Sequence, residues 1–418
     1  MRPGPIGLAL AAGLGAALLL AACTVGPDYV RPGVAIPAPD AYKELDGWKV
    51  AQPRDDTLRG AWWELFGDPG LASLEAQVDV SSQTVAAVEA QLRQARALVQ
   101  AARASYFPTI TVGLGFTRSR QSATVGTSTF SAGRTTSTFQ LPIDVSWEPD
   151  LWGRIRRSVE SSRASAQASQ ADLETARLSI QAEVAQDYFQ LRAVDAERAL
   201  LDATVTAYQR SLELTRNRYA SGVASRADVL QAETQWKTTQ AQAVDLGVQR
   251  AQLEHAIALL VGQPASGFAL PVASLTAEPP GIPVGLPSAL LERRPDVAAA
   301  ERRVAAANAQ IGVAEAAYFP TVTLSVSGGL ESGSLSRWLT WPSRFWSVGP
   351  GISQTVFDGG LRKAQTDEAR AAYDQTVAAY RQAVLTGFKE VEDNWPPSAS
   401  SRRRRACRTR RWRRPGRR

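Results

Sequence analysis

The stretch Ala104-Ser-Tyr-Phe-Pro-Thr-Ile-Thr111 returns later in the chain as Ala316-Ala-Tyr-Phe-Pro-Thr-Val-Thr323. In both places an alanine-rich, helix-like pattern changes to a strict alternation of apolar and polar residues. Pro108 and Pro320 cannot continue a helix, and each shifts the residue before it toward an extended conformation. The chain is therefore predicted to be an internal duplication with two helix-to-strand junctions, one at each proline.

Each copy is predicted to continue into a hairpin of two strands. Copy one alternates after Pro108 and again over 139–147, and copy two alternates over 320–330 and 345–357. Twelve apolar residues of these four strands should share one face of a sheet: Ile110, Val112, Leu114, Phe139, Leu141, Ile143, Val145, Val322, Leu324, Trp346, Val348 and Ile352.

Two kinds of structure explain this alternation. One is an ordinary half-buried sheet, and the other is the wall of a membrane barrel with its apolar side toward lipid and its polar side toward a lumen. The strand pattern alone favours the ordinary sheet, so the choice depends on the rest of the chain. Glycines mark the turn from the second strand to the following helix in each copy, at Gly153, Gly359 and Gly360.

The N-terminus has the features of an export signal. Residues 1–22 combine a short basic start with an apolar run that is too short to span a bilayer comfortably. The run ends in Leu20, Ala21 and Ala22 before Cys23, which predicts cleavage and lipidation at Cys23; the alternative is ordinary cleavage beside an incidental cysteine. The proline-rich segment 23–60 is predicted to be an extended, lipid-anchored tether without a core.

Long helices are predicted in both copies. From Leu71 to Ala102 a series of residues, apolar except for Ser81, steps by three and four without a break, which is the pattern of helices supercoiled around neighbours. The segment from Gly153 to about Ala220 has no proline and predicts a rod of roughly 100 Å at 1.5 Å per residue. A tight hairpin tip follows, with Gly222 as C-cap and Ser225 as N-cap. The predicted tip residues are Arg218, Tyr219, Gly222 and Asp228.

The duplication divides the chain into a first repeat over 61–263, a crossover over 264–287 and a second repeat over 288–395. The second repeat is expected to be incomplete, because its last helix has no return partner before an arginine-rich tail at 396–418. A shifted reading frame explains such a tail, and efflux by the chain as written is then not expected. The unpartnered helix should expose an apolar seam: Tyr373, Val377, Tyr380, Val384 and Val391.

The net charge of +7 does not predict a nucleic-acid partner. Removing the eleven arginines of 396–418 and Arg2 leaves −5 for residues 23–395. The tail alone is basic, and an exported protein rarely meets nucleic acid.

No catalytic or metal-binding pattern is recognised, so neither an enzyme nor a cofactor is expected. The single histidine, His255, has no metal-ligand partner at helical spacing. No glycine-rich loop follows a strand and opens a helix, as phosphate binding requires. A periplasmic adaptor and a lipid-anchored enzyme remain as alternatives to a channel.

Several of these motifs together resemble the TolC-like outer-membrane efflux proteins, in particular the NodT- or OprM-like lipoprotein branch. The resemblance covers residues 20–395 and rests on the two Tyr-Phe-Pro-Thr junctions and three further segments: Cys23-Thr-Val-Gly-Pro-Asp-Tyr-Val-Arg-Pro32, Arg218-Tyr-Ala-Ser-Gly222 and Leu290-Leu-Glu-Arg-Arg-Pro-Asp296.

The resemblance implies a mixed α and β fold in which long, coiled-coil-like helices form a periplasmic tunnel. Each protomer of a homotrimer would give four strands to a twelve-stranded barrel in the outer membrane, next to its lipid. The sequence itself favours oligomerisation, because four strands cannot close a barrel and open edges are not tolerated in lipid. The implied function is the exit duct of an efflux system with a periplasmic adaptor and an inner-membrane transporter. Gate residues cannot be transferred, because the family's second hairpin carries most of them.

Overall fold

A computed structural model describes residues 24–32, 41–42, 45–46, 61–120, 122, 124, 135–275 and 294–394. These residues fall into two units, and several helices contain a unit boundary. Unit one takes the described residues of 24–32, 94–168 and 300–383, and unit two takes the others. The helices are α1 (Pro69–Ser81), α2 (Gln83–Ala104), α3 (Arg154–Ala220), α4 (Arg226–Leu260), α5 (Pro295–Ala316) and α6 (Leu361–Asn394).

The strands occur in two sheets. The small one pairs β1 (Ala41–Tyr42) with β2 (Leu45–Asp46), and the sequence pattern did not predict this pairing. The large one contains β3 (Thr109–Val112), β4 (Gly115–Arg120), β5 (Thr135–Trp147), β6 (Thr321–Ser332) and β7 (Arg344–Ser353). Its antiparallel order is β3-β5-β6-β7, with β4 also on β5, so β3 and β4 share one edge and β7 forms the other. The two predicted hairpins therefore form one sheet.

The first predicted strand is divided into β3 and β4. Val112 pairs with Ile143 and Gly115 pairs with Gln140, so the register continues unchanged across the gap. Pro142 lies opposite the gap and has no N–H to donate to the ladder. Its carbonyl still accepts from the N–H of Gly113 at 2.9 Å. The missing N–H of Pro142 therefore divides the first predicted strand into β3 and β4, while the side chains before and after the gap keep the same faces.

In unit one, residues 24–32 pack on the helices instead of forming a free tether. The guanidinium of Arg157 is almost fully buried and donates to the carbonyls of Val25 and Gly26 and to Asp28, at 2.8 Å for the last. A Cβ on Gly26 would overlap the backbone of Gly312 on α5. The two backbone segments therefore touch at positions where neither residue has a side chain. The predicted absence of packing is wrong for this segment.

The seam predicted to be exposed on α6 is mostly covered. Val377, Tyr380 and Val384 are buried, while Tyr373 and Val391 are half-buried. The hydroxyl of Tyr380 accepts a hydrogen bond from Arg31, and Arg31 also pairs with Glu301 of α5 at 3.2 Å. Residues 24–32 thus supply part of the cover, and the prediction of an exposed seam failed because it treated them as a tether. The expectation that this seam prevents efflux therefore loses its physical basis.

Unit two has an apolar core built from α1, α2, α3 and α4. Its centre includes Leu71, Val184, Leu191 and Ile257, and the aromatic residues of 62–66 pack against it. Residues Trp62–Phe66 form a 3₁₀ helix ended by Gly67 in the left-handed conformation. The buried positions of α1 and α2 follow the predicted steps of three and four.

The helix predicted to run unbroken from Leu71 is interrupted at Ser82, which is extended. The hydroxyl of Ser81 donates to the carbonyl of Val261 at 2.6 Å, beyond the end of α4. Gly262 adjoins the Ser81 carbonyl so closely that a Cβ there would overlap it. A polar residue at an apolar position of the repeat was the visible signal, and it marks this contact.

A buried charged network holds residues 270–273 against α3 and α4. Asp195 is almost fully buried and accepts from Arg250 at 2.7 Å, while Arg192 lies 3.4 Å from it. Arg192 and Arg250 also donate to the carbonyls of Pro271 and Leu270, both at 2.6 Å. These backbone carbonyls are satisfied by arginine where no helix or strand can pair them.

Glu75 of α1 is fully buried, and neither of its carboxyl oxygens has a hydrogen-bond partner among the described residues. Burial, and to a smaller extent the charge of Asp79, raises the pKa of Glu75 from 4.5 to about 8. The neutral acid avoids the cost of an unpaired charge in an apolar core. Glu75 is therefore protonated in the folded chain near neutral pH.

The first prediction concerns Glu75→Gln. The folded chain keeps a proton on Glu75 that the unfolded chain has released between pH 4.5 and about 8. The free energy of unfolding of the parent should therefore fall across this range, by about 1.4 kcal/mol per pH unit from this group. Glutamine removes that dependence, so chemical denaturation should show the variant gaining stability relative to the parent as pH rises. The exposed Glu213→Gln is the matched control, and equal pH dependence in all three proteins would contradict the assignment.

The second prediction concerns the contact between residues 24–32 and α5. Gly26 has φ of 97°, and Gly26→Ala adds a methyl group that overlaps Gly312. Denaturation should show a loss of about 1–3 kcal/mol from the overlap. Gly67→Ala is the control, because Gly67 also has positive φ but open space around its Cα. Equal losses in both variants would mean that the contact with Gly312 contributes nothing.

Candidate functional site

The strand register puts unlike side chains on the two faces of the large sheet. Paired residues of antiparallel strands share a face, and Ile110 pairs with Val145, which pairs with Val326, which pairs with Val348. The predicted common face is confirmed. Large exposed apolar residues of this face are Ile110, Val112, Leu114, Phe116, Ile143, Leu324, Val326, Trp346, Val348 and Ile352.

The opposite face is polar and built from short side chains. Thr111 pairs with Asp144, and Asp144 pairs with Ser327, whose hydroxyl donates to the Asp144 carboxylate. Hydroxyl and glycine residues make up most of the rest: Thr109, Gly113, Ser146, Thr321, Thr323, Ser325, Ser347, Gly349 and Gly351. A sheet with one apolar exposed face and one hydroxyl-rich face can separate lipid from water.

Both helix-to-strand junctions are held by tryptophan hydrogen bonds. Pro108 lies between α2 and β3, and Pro320 lies between α5 and β6. The indole N–H of Trp152 donates to the carbonyl of Pro320 at 2.7 Å, and the indole N–H of Trp147 donates to the carbonyl of Tyr106 at 3.0 Å. Trp152 also stacks on Phe319. Trp152, in the turn after β5, thus links copy one to the junction of copy two, and Trp147 links β5 to the junction of its own copy.

The predicted turn glycines lie between the second strand and the helix of each copy. Gly153, Gly359 and Gly360 all have positive φ, which only glycine adopts without strain. Asp150 accepts from the backbone N–H groups of Ile155 and Arg156 at the start of α3. These carboxylate contacts satisfy donors that the first helical turn leaves free.

The hairpin between α3 and α4 is closed by caps at both ends. Gly222 has φ of 74°, and the carbonyl of Arg218 accepts from Val223 at 2.8 Å and from Ala224 at 3.2 Å. Ser225 is the N-cap of α4 and forms a capping box with Asp228. The hydrogen bonds from Ser225 hold the pKa of Asp228 below its usual range.

A groove of about 510 Å³ lies between the two helices beside this turn. Its lining includes Tyr208, Thr215, Arg218, Val223, Asp228 and Gln235. Tyr219 and Val223 are exposed, at 48% and 67%. The predicted tip residues are therefore together at one end of the helical hairpin, with apolar and charged groups available to a partner.

Other predicted positions lie outside the described residues. These are the cleavage motif Leu20, Ala21 and Ala22, the lipidation site Cys23, part of the crossover and the arginine-rich tail. Sequence reasoning missed Arg157 and Gly312, whose role is to hold residues 24–32. The only signal for them was the Gly26-Pro27-Asp28-Tyr29 segment, which was assigned to the tether.

Within the described ranges, no cluster of histidine, cysteine or acidic residues could hold a metal ion. Among the helices that the structure describes, none is both long enough and apolar enough to cross a bilayer.

Comparison with known proteins gives one family. Residues 76–263 and 286–410 match the family described as outer membrane efflux protein. Nodulation protein T of Rhizobium leguminosarum bv. trifolii is 32% identical over 380 residues, which are 90% of this chain and 79% of that protein. The toluene efflux pump outer membrane protein TtgF of Pseudomonas putida is 33% identical over 90% of this chain and 78% of its own length.

Solved structures show the same fold. The outer-membrane channel OprN has a TM-score of 0.78 and 33% identity over 87% of this chain and 80% of that one. The outer membrane protein VceC of Vibrio cholerae has a TM-score of 0.72 and 26% identity over 79% of each chain. The family match covers more than half of the sequence, and nodulation protein T and TtgF, named above, are at least 30% identical over most of both chains. The chain therefore belongs to the outer membrane efflux protein family.

Proposed function

We propose that this chain forms an outer-membrane exit duct for small molecules, in which the large sheet is the channel wall and the helices form a periplasmic tunnel. The observation that carries the proposal is the division of one sheet into an exposed apolar face and a hydroxyl-rich face. The names of two relatives, a toluene efflux pump protein and a pyoverdine export protein, both describe the export of small molecules. The duct itself performs no chemistry, and the relatives give no support to the adaptor alternative.

Closure of the wall requires further copies of the chain. The edges formed by β3 with β4 and by β7 have no partner strand among the described residues. An unpaired edge in lipid leaves backbone groups unsatisfied, and the smallest membrane barrels have about eight strands. Pairing of β7 with β3 and β4 of the next copy keeps the antiparallel order, and three copies give the twelve strands that the family resemblance implies. We therefore assign a homotrimer.

Lipid anchoring at Cys23 is part of the proposal. Thr24 follows that residue and packs against Gly153, and the N–H of Val25 donates to the carbonyl of Trp152 at 3.1 Å. Thr24, the residue after Cys23, therefore lies beside the turn between β5 and α3, at the end of the proposed channel wall. Acyl chains there would enter the membrane beside the strands and gain about 0.8 kcal/mol per buried methylene.

The hairpin tip is the proposed contact with a periplasmic adaptor, which would connect the duct to an inner-membrane transporter. The turn is fixed by the capping box at Ser225, and the groove beside it offers both apolar and charged side chains. Because the chain has no nucleotide-binding motif, the energy for transport must come from such a partner. Nucleic acid has no place in this proposal.

The third prediction tests the wall. Val112→Arg places a charge on the apolar face, and Thr111→Arg places the same charge on the polar face one residue away. The first change should cost roughly 2–4 kcal/mol of barrel stability near the bilayer midplane, and the second much less. The amount of folded oligomer in outer-membrane fractions, followed by its resistance to heat in detergent, measures this difference. Equal losses would mean that the faces are assigned wrongly and would overturn the channel proposal.

The fourth prediction tests the tip. Cysteines introduced at Ser221 and Ala224 should form crosslinks to a periplasmic adaptor in intact cells, because Ser221 is exposed and Ala224 is partly exposed at the capped turn. The control is a cysteine at Val244, which is 66% exposed on α4 away from the turn. Mass spectrometry of the crosslinked bands identifies the partner. Capture of cell-surface or outer-membrane proteins by the tip cysteines would reverse the proposed orientation.

A further inference from the structure

The strand ends farthest from Pro108 and Pro320 are basic. Between Thr117 and Leu141 the sequence has three arginines and no lysine, aspartate or glutamate. Between Ser332 and Ser347 it has two arginines and again no other charged residue. These are the two connections at the far end of the sheet, called the distal end here. Charge of one sign is therefore concentrated there, although residues 23–395 are acidic overall.

The register puts three of these arginines on the apolar face. Arg118 and Arg120 continue the same side of β4 as Phe116. Arg344 pairs with Leu330, which pairs with Leu141 of that face. We call Arg118, Arg120 and Arg344 the distal arginine set. The nearby acids point the other way, because Glu331 pairs with Gln140 and Asp144 pairs with Ser327 on the polar face.

Aromatic side chains border the distal arginine set. Phe116 packs on Phe139 with ring centroids 4.8 Å apart, and Phe139 is 6.0 Å from Trp338. The guanidinium of Arg344 lies 4.4 Å from the ring centre of Trp341. A belt of aromatic residues marks the level where hydrocarbon gives way to headgroups in membrane barrels. The arginines lie beyond or beside this belt, at headgroup level.

The three arginines are exposed, and the structure pairs none of them with an acid within its described part. The other end of the wall differs, because Arg154 pairs with Glu148 at 2.8 Å and Arg156 pairs with Asp150 at 3.2 Å. Unpaired like charges on one surface repel each other unless an anion lies between them. The distal end thus has the charge of an anion-binding surface and the proximal end does not.

Trimer closure would concentrate this charge. Arg118 and Arg120 lie on one edge strand of the sheet, and Arg344 lies on the other. When β7 of one copy pairs with β3 and β4 of the next, Arg344 of the first copy faces the seam that carries Arg118 and Arg120 of the second. Each of the three seams is then lined by arginines from two chains.

We infer that the distal arginine set binds the phosphate groups of an anionic lipid in the outer leaflet of the outer membrane. This inference rests on the proposed function, which puts the apolar face in lipid. Guanidinium groups match phosphate oxygens with two parallel hydrogen bonds, and arginine stays charged at every physiological pH. The aromatic belt would hold the acyl region below the same headgroup. The lipid would bridge neighbouring protomers at each seam.

The fifth prediction is tested with the purified full chain in a zwitterionic detergent. Binding of bisphosphorylated lipid A is titrated by native mass spectrometry and compared with that of fully dephosphorylated lipid A. The parent should prefer the phosphorylated lipid at least tenfold, and this preference should weaken as salt is raised. The variant Arg118→Gln, Arg120→Gln, Arg344→Gln should lose the preference.

The matched control removes three exposed arginines elsewhere, as Arg93→Gln, Arg96→Gln, Arg210→Gln, and should bind like the parent. The single variant Arg344→Gln gives a partial loss and guards against misfolding of the triple variant. Equal affinity of the parent for both lipids, or equal losses in the two triple variants, would overturn the inference. A negative result in the lipid-binding experiment would leave the channel proposal unaffected. Failure of the channel proposal itself would appear as equal effects of Val112→Arg and Thr111→Arg.

Discussion

The requirement that every backbone N–H and C=O find a partner inside a membrane governs this structure. In the large sheet the inner strands β5 and β6 have neighbouring strands on both sides, so their backbone groups can pair. The strands at the two edges have a neighbour on one side only. In water such edges would invite random association, and in lipid each open group would cost several kcal/mol. Closure with other copies removes both problems at once. Under the proposed function, the number of strands per chain therefore makes an oligomer a condition for closing the wall.

The same constraint explains where irregular backbone is found. Pro142 interrupts the ladder on one side of β5, yet its carbonyl still accepts from Gly113, and β6 continues unbroken on the other side. At the two junctions, carbonyls freed by the change from helix to strand accept from Trp147 and Trp152. In unit two, arginines of the Asp195 network serve the carbonyls of Pro271 and Leu270. Side chains complete the pairing wherever regular structure ends.

Much of this architecture was predictable from local periodicity. The repeated Tyr-Phe-Pro-Thr junction, the two-residue alternation and the capped turn at Gly222 each depend on residues close in sequence, and the structure contains all three. What failed depends on distant contacts. The helix is interrupted at Ser82, where the hydroxyl of Ser81 donates a hydrogen bond to the carbonyl of Val261, just after α4. Residues 24–32 pack on the helices because Arg157 donates hydrogen bonds to their carbonyls and Gly312 leaves room for their backbone. The first contact leaves a single polar residue in the apolar repeat as its only signal, and the second leaves no periodic signal.

The polar face also bears on what such a wall can select. Its residues are mostly threonine, serine and glycine. The hydroxyl groups of the threonines and serines are short, neutral and similar hydrogen-bonding groups along the strands. Its central carboxylate, Asp144, accepts from Ser327, so part of its capacity is used within the wall. Strong discrimination between solutes requires polar groups that are left unpaired by the wrong molecule. Short hydroxyls beside open water lose nothing when a solute passes without bonding them. This face is therefore suited to passage rather than recognition, and the choice of solute must be made before it enters the strands.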